Sequence, residues 1–417
     1  MTAFSRRQAR IGPAAAGGLF YFCMFGASAV YLPFFSVFFA HRGLSGSEIG
    51  LLSAISPLMT LLLAPGLLAV ADRHGRRVWL LCLALAATAL SLFVVPWPSS
   101  FVGILPVVVI WAAAWSSVMP VSDGLIARTA GRRGLSYGKM RLWGSLSWAI
   151  VAAIGGALWQ QLGPFVMFPV AGAMLLATIP LARLLEEDRP NRSEARPRLR
   201  TVVRDTRLRV VLAASCALGL GMAVASTFAS VYLDRLGGGE WLVGLFFAVT
   251  AFSELPVMQW SDPILRRLGG PWTLVLSYAL FGLTFLGLAW IQSPVLLLGV
   301  GVVQGLAFGL CMPCTVRLVA DWGPEQWPAT SQGVLNAGLW GLAPLIGGPL
   351  GGAVYDGFGP TAVFLACTAT AAAAGLVVIG AQVAGIFKRR YDSSEAAAGT
   401  EPRLPRKIPT SLGAPNE

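Results

Sequence analysis

The sequence predicts an all-α polytopic membrane protein whose twelve transmembrane helices form two pseudo-symmetric six-helix bundles. Three observations carry this. Residues are 56% hydrophobic and only 12% charged over 417 positions, a balance that cannot be divided between one buried core and a solvated surface. Apolar runs of about 20 residues or more recur along the chain, each long enough to cross a hydrocarbon layer of roughly 30 Å. The second half of the chain also repeats features of the first in the same order. A membrane β-barrel is excluded, because its strands would alternate polar and apolar residues at period two.

The runs justify the helices one by one. The first, 14–40, carries the aromatic series Phe34, Phe35, Phe38 and Phe39 near its end. These rings are expected either on the lipid face or, less commonly, around a site. The second, 48–71, holds Pro65 and is followed by the basic loop 73–77; the third is 78–97. The fourth, 101–127, holds Pro120 and Asp123, and the fifth, 141–162, opens on Arg141. The sixth, 164–185, leads into a polar, arginine-rich linker, Glu186 to Arg207. The seventh is 209–233, and the eighth, 240–262, holds Glu254 and Pro256. The ninth is 271–291; the tenth, 294–318, holds Pro313 and Arg317; the last two are 330–355, which holds the glycine-rich stretch Gly347 to Gly352, and 360–387. The expected organisation is an N-terminal six-helix half at 1–185, a cytoplasmic linker at 186–208, a C-terminal six-helix half at 209–390 and a disordered cytoplasmic tail at 391–417.

Charge sets the sidedness. Threading the runs alternately places all of the 31 lysines and arginines except Arg42 and Arg235 on one side. The positive-inside rule then puts both termini in the cytoplasm of a bacterial-type cytoplasmic membrane. The net charge of +12 is therefore topological, and nucleic acid is not an expected partner, since the arginines are scattered among short loops. Ser5-Arg6-Arg7 precedes an ordinary first helix and no evident cleavage pattern, so it does not mark an export signal. The six cysteines, Cys23, Cys82, Cys216, Cys311, Cys314 and Cys367, all fall within predicted spans and need no disulfide. Cys311 and Cys314 have CxxC spacing, yet inside a helix they read as small packing residues.

The repeat aligns the halves at an offset close to 195. Ser36 through Leu51 pairs with Ser230 through Leu245, Met119-Pro120 with Met312-Pro313, Leu142-Trp143-Gly144 with Leu339-Trp340-Gly341, and Gly155 through Pro164 with Gly351 through Pro360. Two related halves imply a site between them and alternating access as the mechanism.

Asp72-Arg73-His74-Gly75-Arg76-Arg77 resembles the signature loop between helices 2 and 3 of the major facilitator superfamily, with Leu68 at the position the pattern usually gives to glycine. Tyr31 through Val37, Ile49-Gly50-Leu51-Leu52 and Tyr137 through Ser145 resemble the phenylpropionate permease branch, and lactose permease is a more distant likeness. The resemblance covers most of the chain and implies the superfamily's fold and proton-coupled uptake.

Candidate site residues follow from the cost of placing ionisable groups in a span. Glu254 lies 14 residues beyond Glu240, about 21 Å along its helix and past the midplane. It is expected either to carry a coupling proton or to form a fixed charge pair with Arg317. Ser253-Glu254-Leu255 also resembles the helix 8 glutamate segment of both permease families. Arg141, Ser145 and Trp148 share one helix face, offering a guanidinium, a hydroxyl and an indole plane to a ring with a polar edge. Asp123 near the end of helix 4 joins them as a substrate-binding candidate or as a structural partner of Arg141. The lactose permease resemblance implies the former, since Asp123, Arg141 and Trp148 match its sugar-holding positions; the phenylpropionate permeases share the first two. Asp123 is about 21 residues into its helix, near the cytoplasmic edge unless the span tilts or bends at Pro120.

In the loop, which Gly75 and Arg77 complete, Asp72 is expected to accept from a neighbouring helix N-terminus while Arg73 and Arg76 pair with nearby carboxylates or helix C-terminal carbonyls, latching the cytoplasmic side. Helix 10 has no histidine, unlike the related permeases, and His41 and His74 lie in loops. Coupling therefore rests on Glu254 or Asp123. Three function classes follow: a secondary transporter importing a small ring-bearing solute (an aromatic carboxylate, a sugar or a nucleoside) with protons; a proton-coupled exporter of amphipathic compounds; and a non-transporting membrane sensor or embedded enzyme. Against the last, no nucleophile, metal cluster or phosphate loop appears. The first is expected, with a small-molecule substrate, the proton and the lipid bilayer as partners, no cofactor, no metal, and a monomeric chain.

Overall fold

In the computed structural model the described residues are 12–187, 204–324 and 328–387. The tail at 391–417 and most of the linker lie outside them. Every regular element among the described residues is helical. Eleven segments are long and apolar enough to cross a membrane: α1 Pro13–His41, α2 Gly46–His74, α3 Arg77–Val94, α4 Phe101–Arg133, α5 Tyr137–Leu162, α6 Pro164–Ala182, α7 Thr206–Arg235, α8 Gly239–Leu268, α9 Gly270–Trp290, α10 Leu296–Trp322 and α11 Thr330–Val383. The last has 54 residues and is two helices meeting at Gly359, whose φ of 82° is not helical. At about 1.5 Å per residue it is long enough for two crossings, and the expected count of twelve depends on reading it so.

Local chemistry explains the interruptions. α1 contains a 3-10 turn at Leu32–Phe34, set by Pro33. α4 breaks at Ser116 and Ser117, because the ring of Pro120 collides with the carbonyl four residues earlier. α2 opens on a capping box of Ser45 and Glu48 and closes on Gly75, which takes the left-handed conformation at φ 62°. α11 carries a π-helical turn at Ala337–Leu342.

The halves of the chain meet chiefly through two helix pairs, α2 with α11 and α5 with α8. Both contacts are backbone against backbone. A Cβ at Gly156 of α5 would stand 2.5 Å from the Glu240 carbonyl oxygen and 3.0 Å from the Gly244 Cα of α8. At Gly348 of α11 it would stand 2.6 Å from the Gly50 carbonyl oxygen of α2, and at Gly352 2.8 Å from the Ser47 Cα. Only glycine permits this approach. The repeat pairs Gly50 with Gly244 and Gly156 with Gly352, so one contact is built twice. Both copies lie near the helix ends next to Arg42 and Arg235.

The aromatic series of α1 takes neither expected position. Phe34, Phe38 and Phe39 are fully buried in the first half, with Phe38 4.7 Å from Phe168 and Phe35 5.3 Å from Trp111 between ring centroids. The 3-10 turn rotates them inward. They seal a small aromatic core and do not line the site.

Candidate substrate cavity

A cavity of about 660 Å³ lies between helices of both halves. From the first half, α5 supplies Arg141, Ser145 and Trp148, successive turns of one face, and α2 adds Ser53 and Ser56. From the second, α8 supplies Phe247, Thr250 and Glu254, α10 supplies Gln304 and Phe308, and α11 supplies Trp340. α8 and α10 are pressed together where Gly305 and Gly309 meet the backbone of Glu254, which fixes the carboxylate and Gln304 at one level. Among the described residues, Arg141 and Glu254 are the charged groups that face this space, one from each half.

Arg141 is held by aromatic faces. Its guanidinium carbon lies 4.0 Å from the Phe25 ring centroid and 5.6 Å from that of Tyr21. Such cation–π contacts position the cation and leave its N–H groups available for a ligand. The hydroxyls of Thr250, Ser226 and Ser53 donate to carbonyls of their own helices at 2.8 to 2.9 Å, so they offer lone pairs to a ligand's donors. Aromatic planes supplement these polar groups: Phe308 and Trp340 lie 6.3 Å apart. The cavity is of a size that takes small organic molecules, with apolar and aromatic walls and a few placed polar groups.

The structure thus brings together Arg141, Ser145, Trp148 and Glu254 and separates the other candidates. Asp123 is not among the cavity residues. The Tyr21 hydroxyl donates to its carboxylate at 2.5 Å and lies 3.3 Å from the Tyr137 hydroxyl, so Asp123 is held by tyrosines that do not line the cavity. The Glu254 and Arg317 charge pair does not form. Arg317 bonds Asp262 at 3.0 Å and lies 3.8 Å from Asp321, half-exposed at the end of α10. Glu254 is level with Gly305 and Gly309, and Arg317 lies eight residues farther on, about 12 Å along the helix.

In the signature loop, Asp72 does not cap a helix from elsewhere. It accepts from the side-chain Nε of Arg77, which is buried, while Glu187 accepts from the backbone N–H of Arg77 and of Val78 and so caps α3. These bonds all stay within the first half; among the described residues, Arg73 and Arg76 form no ion pair or hydrogen bond with the second half. The six cysteines are free thiols, as their positions imply.

Sequence reasoning missed Tyr21, Tyr137, Phe247, Gln304 and Trp340. Trp340 was paired by the repeat with Trp143, but Trp143 is half-exposed on the outer surface against Phe22, with ring centroids 6.4 Å apart. The π turn around Trp340, a feature frequent at functional sites, has no sequence signature that would have given it away.

Known proteins agree with this architecture. The chain is similar to the maltose permease of Geobacillus stearothermophilus, 28% identical over 340 residues that make up 80% of this chain and 86% of that protein. It is 26% identical over 314 residues to the probable 3-phenylpropionic acid transporter of Escherichia coli, covering 72% of this chain and 80% of that one. Its fold is that of the nucleoside transporter NupG, whose crystal structure superposes with a TM-score of 0.76 at 15% identity, over 91% of this chain and all of the other. The model of the MFS_1 like family matches residues 18–366. With helices, cavity and relatives in agreement, this chain belongs to the MFS_1-like family and is a multi-pass membrane transporter of the major facilitator type.

Proposed function

We propose that this transporter imports a small ring-bearing polar solute (a sugar, a nucleoside or an aromatic carboxylate) together with a proton, by alternating access between two halves. The observation that carries the reading is the cavity itself, bounded by both halves, with a single cation on one wall and a single carboxylate on the other. Arg141, Ser145 and Trp148 bind the solute's polar edge and ring. Glu254 carries the proton, because Arg317 is engaged elsewhere and helix α10 offers Gln304 in place of a titratable group. Protonating Glu254 removes a charge from a poorly solvated space and changes the field at Arg141, which ties proton loading to solute binding.

The distribution of lysine and arginine supports cytoplasmic termini, and the glycine contacts next to Arg42 and Arg235 support a state closed toward the outside and open inward. The chain acts as a monomer, with no cofactor. The relatives named for maltose and 3-phenylpropionic acid support the solute class. The test is uptake of labelled maltose, uridine and 3-phenylpropionate into proteoliposomes under an imposed pH gradient. Accumulation of one of them driven by an acidic exterior is expected. Accumulation indifferent to the gradient removes the proton, and net extrusion would make the protein an exporter.

A further inference from the structure

The hydrogen bonds and ion pairs that cross between the halves, among the described residues, gather at the end that carries Arg42 and Arg235. His41 lies 2.7 Å from Asp234 and 4.0 Å from Glu240. Asp356, in the α11 arm before Gly359, reaches the start of α2, where its carboxylate accepts from Gly46 N at 2.6 Å, Ser47 N at 2.7 Å and the Ser47 hydroxyl at 2.6 Å. Gln160, near the end of α5, reaches the start of α8, where its side-chain oxygen accepts from Trp241 N at 3.3 Å. The repeat that pairs Gly156 with Gly352 also pairs Gln160 with Asp356, and the repeat that pairs Gly50 with Gly244 pairs Ser47 with Trp241. Each acceptor therefore sits one helical turn beyond a glycine contact, on the free N–H groups of a helix from the opposite half.

We propose that Asp356 and Gln160 are the two copies of one crossed clasp that holds this end of the transporter shut, and that Asp356 is the stronger copy and sets the balance between closed and open states. This rests on the alternating-access reading but not on the identity of solute or coupling ion. The two copies differ in chemistry. A carboxylate at a helix N-terminus gains from charge-assisted bonds and from the helix dipole, whereas the amide of Gln160 makes one long, neutral bond. The glycines allow the helices to touch; they supply no attraction beyond contact. The clasp bonds exist only when the end is closed, so they act on the population of that state and not on folding of either half.

Hydrogen–deuterium exchange on the full-length protein in detergent or nanodiscs tests this. In Asp356→Ala, peptides spanning 44–52 lose their acceptor and exchange faster. The clasp further requires that peptides spanning 239–248, at the other copy and contacted by Gln160, accelerate as well, by roughly tenfold, since parting of this end exposes both. Ser47→Ala, a change at a half-buried residue on the opposite side of the same contact, is expected to move both regions in the same direction by a smaller factor, and it serves if the aspartate variant does not fold. Acceleration confined to 44–52 in either variant would make Asp356 a local helix cap and overturn the proposal, as would no change at all. Because exchange needs neither solute nor gradient, this result is independent of the transport assay: a clasp that fails here leaves import standing, and the absence of import leaves the clasp standing.

Discussion

Gly50→Ala tests the geometry of closure with a single methyl group. The added Cβ would stand 2.9 Å from the carbonyl carbon of Gly348 and 3.3 Å from the Cα of Gly352, and nearer still to the Gly348 carbonyl oxygen. Carbon atoms rest at about 3.5 to 4.0 Å, so α2 and α11 must separate by a large fraction of an ångström. The obstacle is backbone, which cannot swing aside as a side chain would. Overpacking of this kind costs about 1 to 3 kcal/mol, and it falls on the closed state alone. Converted at about 1.4 kcal/mol per decade, the closed population should drop by roughly 5- to 150-fold relative to the open one. The measurement is the separation of the two halves by single-molecule energy transfer, with dyes introduced as non-natural residues at Trp97 and Val295, both exposed at the same end. Gly66→Ala, on the same helix with no atom within 4 Å of its added Cβ, is the control. Gly244→Ala should reproduce the effect, and because both changes bear on one closure their free energies should add. If Gly50→Ala leaves the distance distribution identical to that of Gly66→Ala, the close approach does not govern opening and the reasoning fails.

Four further outcomes are expected. Glu254→Gln should abolish uphill uptake while sparing counterflow; surviving uphill uptake would remove Glu254 from the coupling. Arg141→Lys and Trp148→Ala should each weaken solute binding by about tenfold or more in a thermal-shift titration, since the first loses planar donor geometry and the second a stacking plane; unchanged affinity in both would dismiss the cavity assignment. Asp72→Ala leaves the buried Arg77 without its carboxylate and should cost about 3 to 5 kcal/mol, read as a lowered unfolding midpoint; a midpoint equal to wild type would show that the pair is not structural. Arg317→Ala removes only exposed pairs, worth under about 1 kcal/mol, and should leave uphill uptake intact; its loss would reinstate a link to Glu254.

Much of this molecule was legible in its sequence because lipid is an exacting solvent. The spans, the internal repeat, and the shared face of Arg141, Ser145 and Trp148 each follow from periodicity and charge, and one cavity is lined by that face and by Glu254. What escaped was of two kinds. Phe247, Phe308 and Trp340 line the cavity, yet in a span an aromatic residue facing a cavity carries the same letter as one facing lipid. Asp123 and Arg317 were visible as charges but not as partners. Their pairing depends on helix level and on neighbours from other helices, the neutral Tyr21 for the first and an aspartate two turns beyond Glu254 for the second, and neither is fixed by spacing along one helix.

The glycine faces also bear on how such a chain is assembled. During synthesis the first six helices enter the bilayer before their partners exist, and the surfaces that will later meet α8 and α11 must wait in lipid. A face of bare backbone, its amides already satisfied within its own helix, lets any helix with a matching face approach closely, so it favours association without choosing the partner. Gly50 and Gly156 thus leave the nascent half with two faces open to close approach until Gly348 and Gly244 arrive, and the polar clasp at Gly46 and Gln160 confers identity on an encounter that contact alone would leave indifferent.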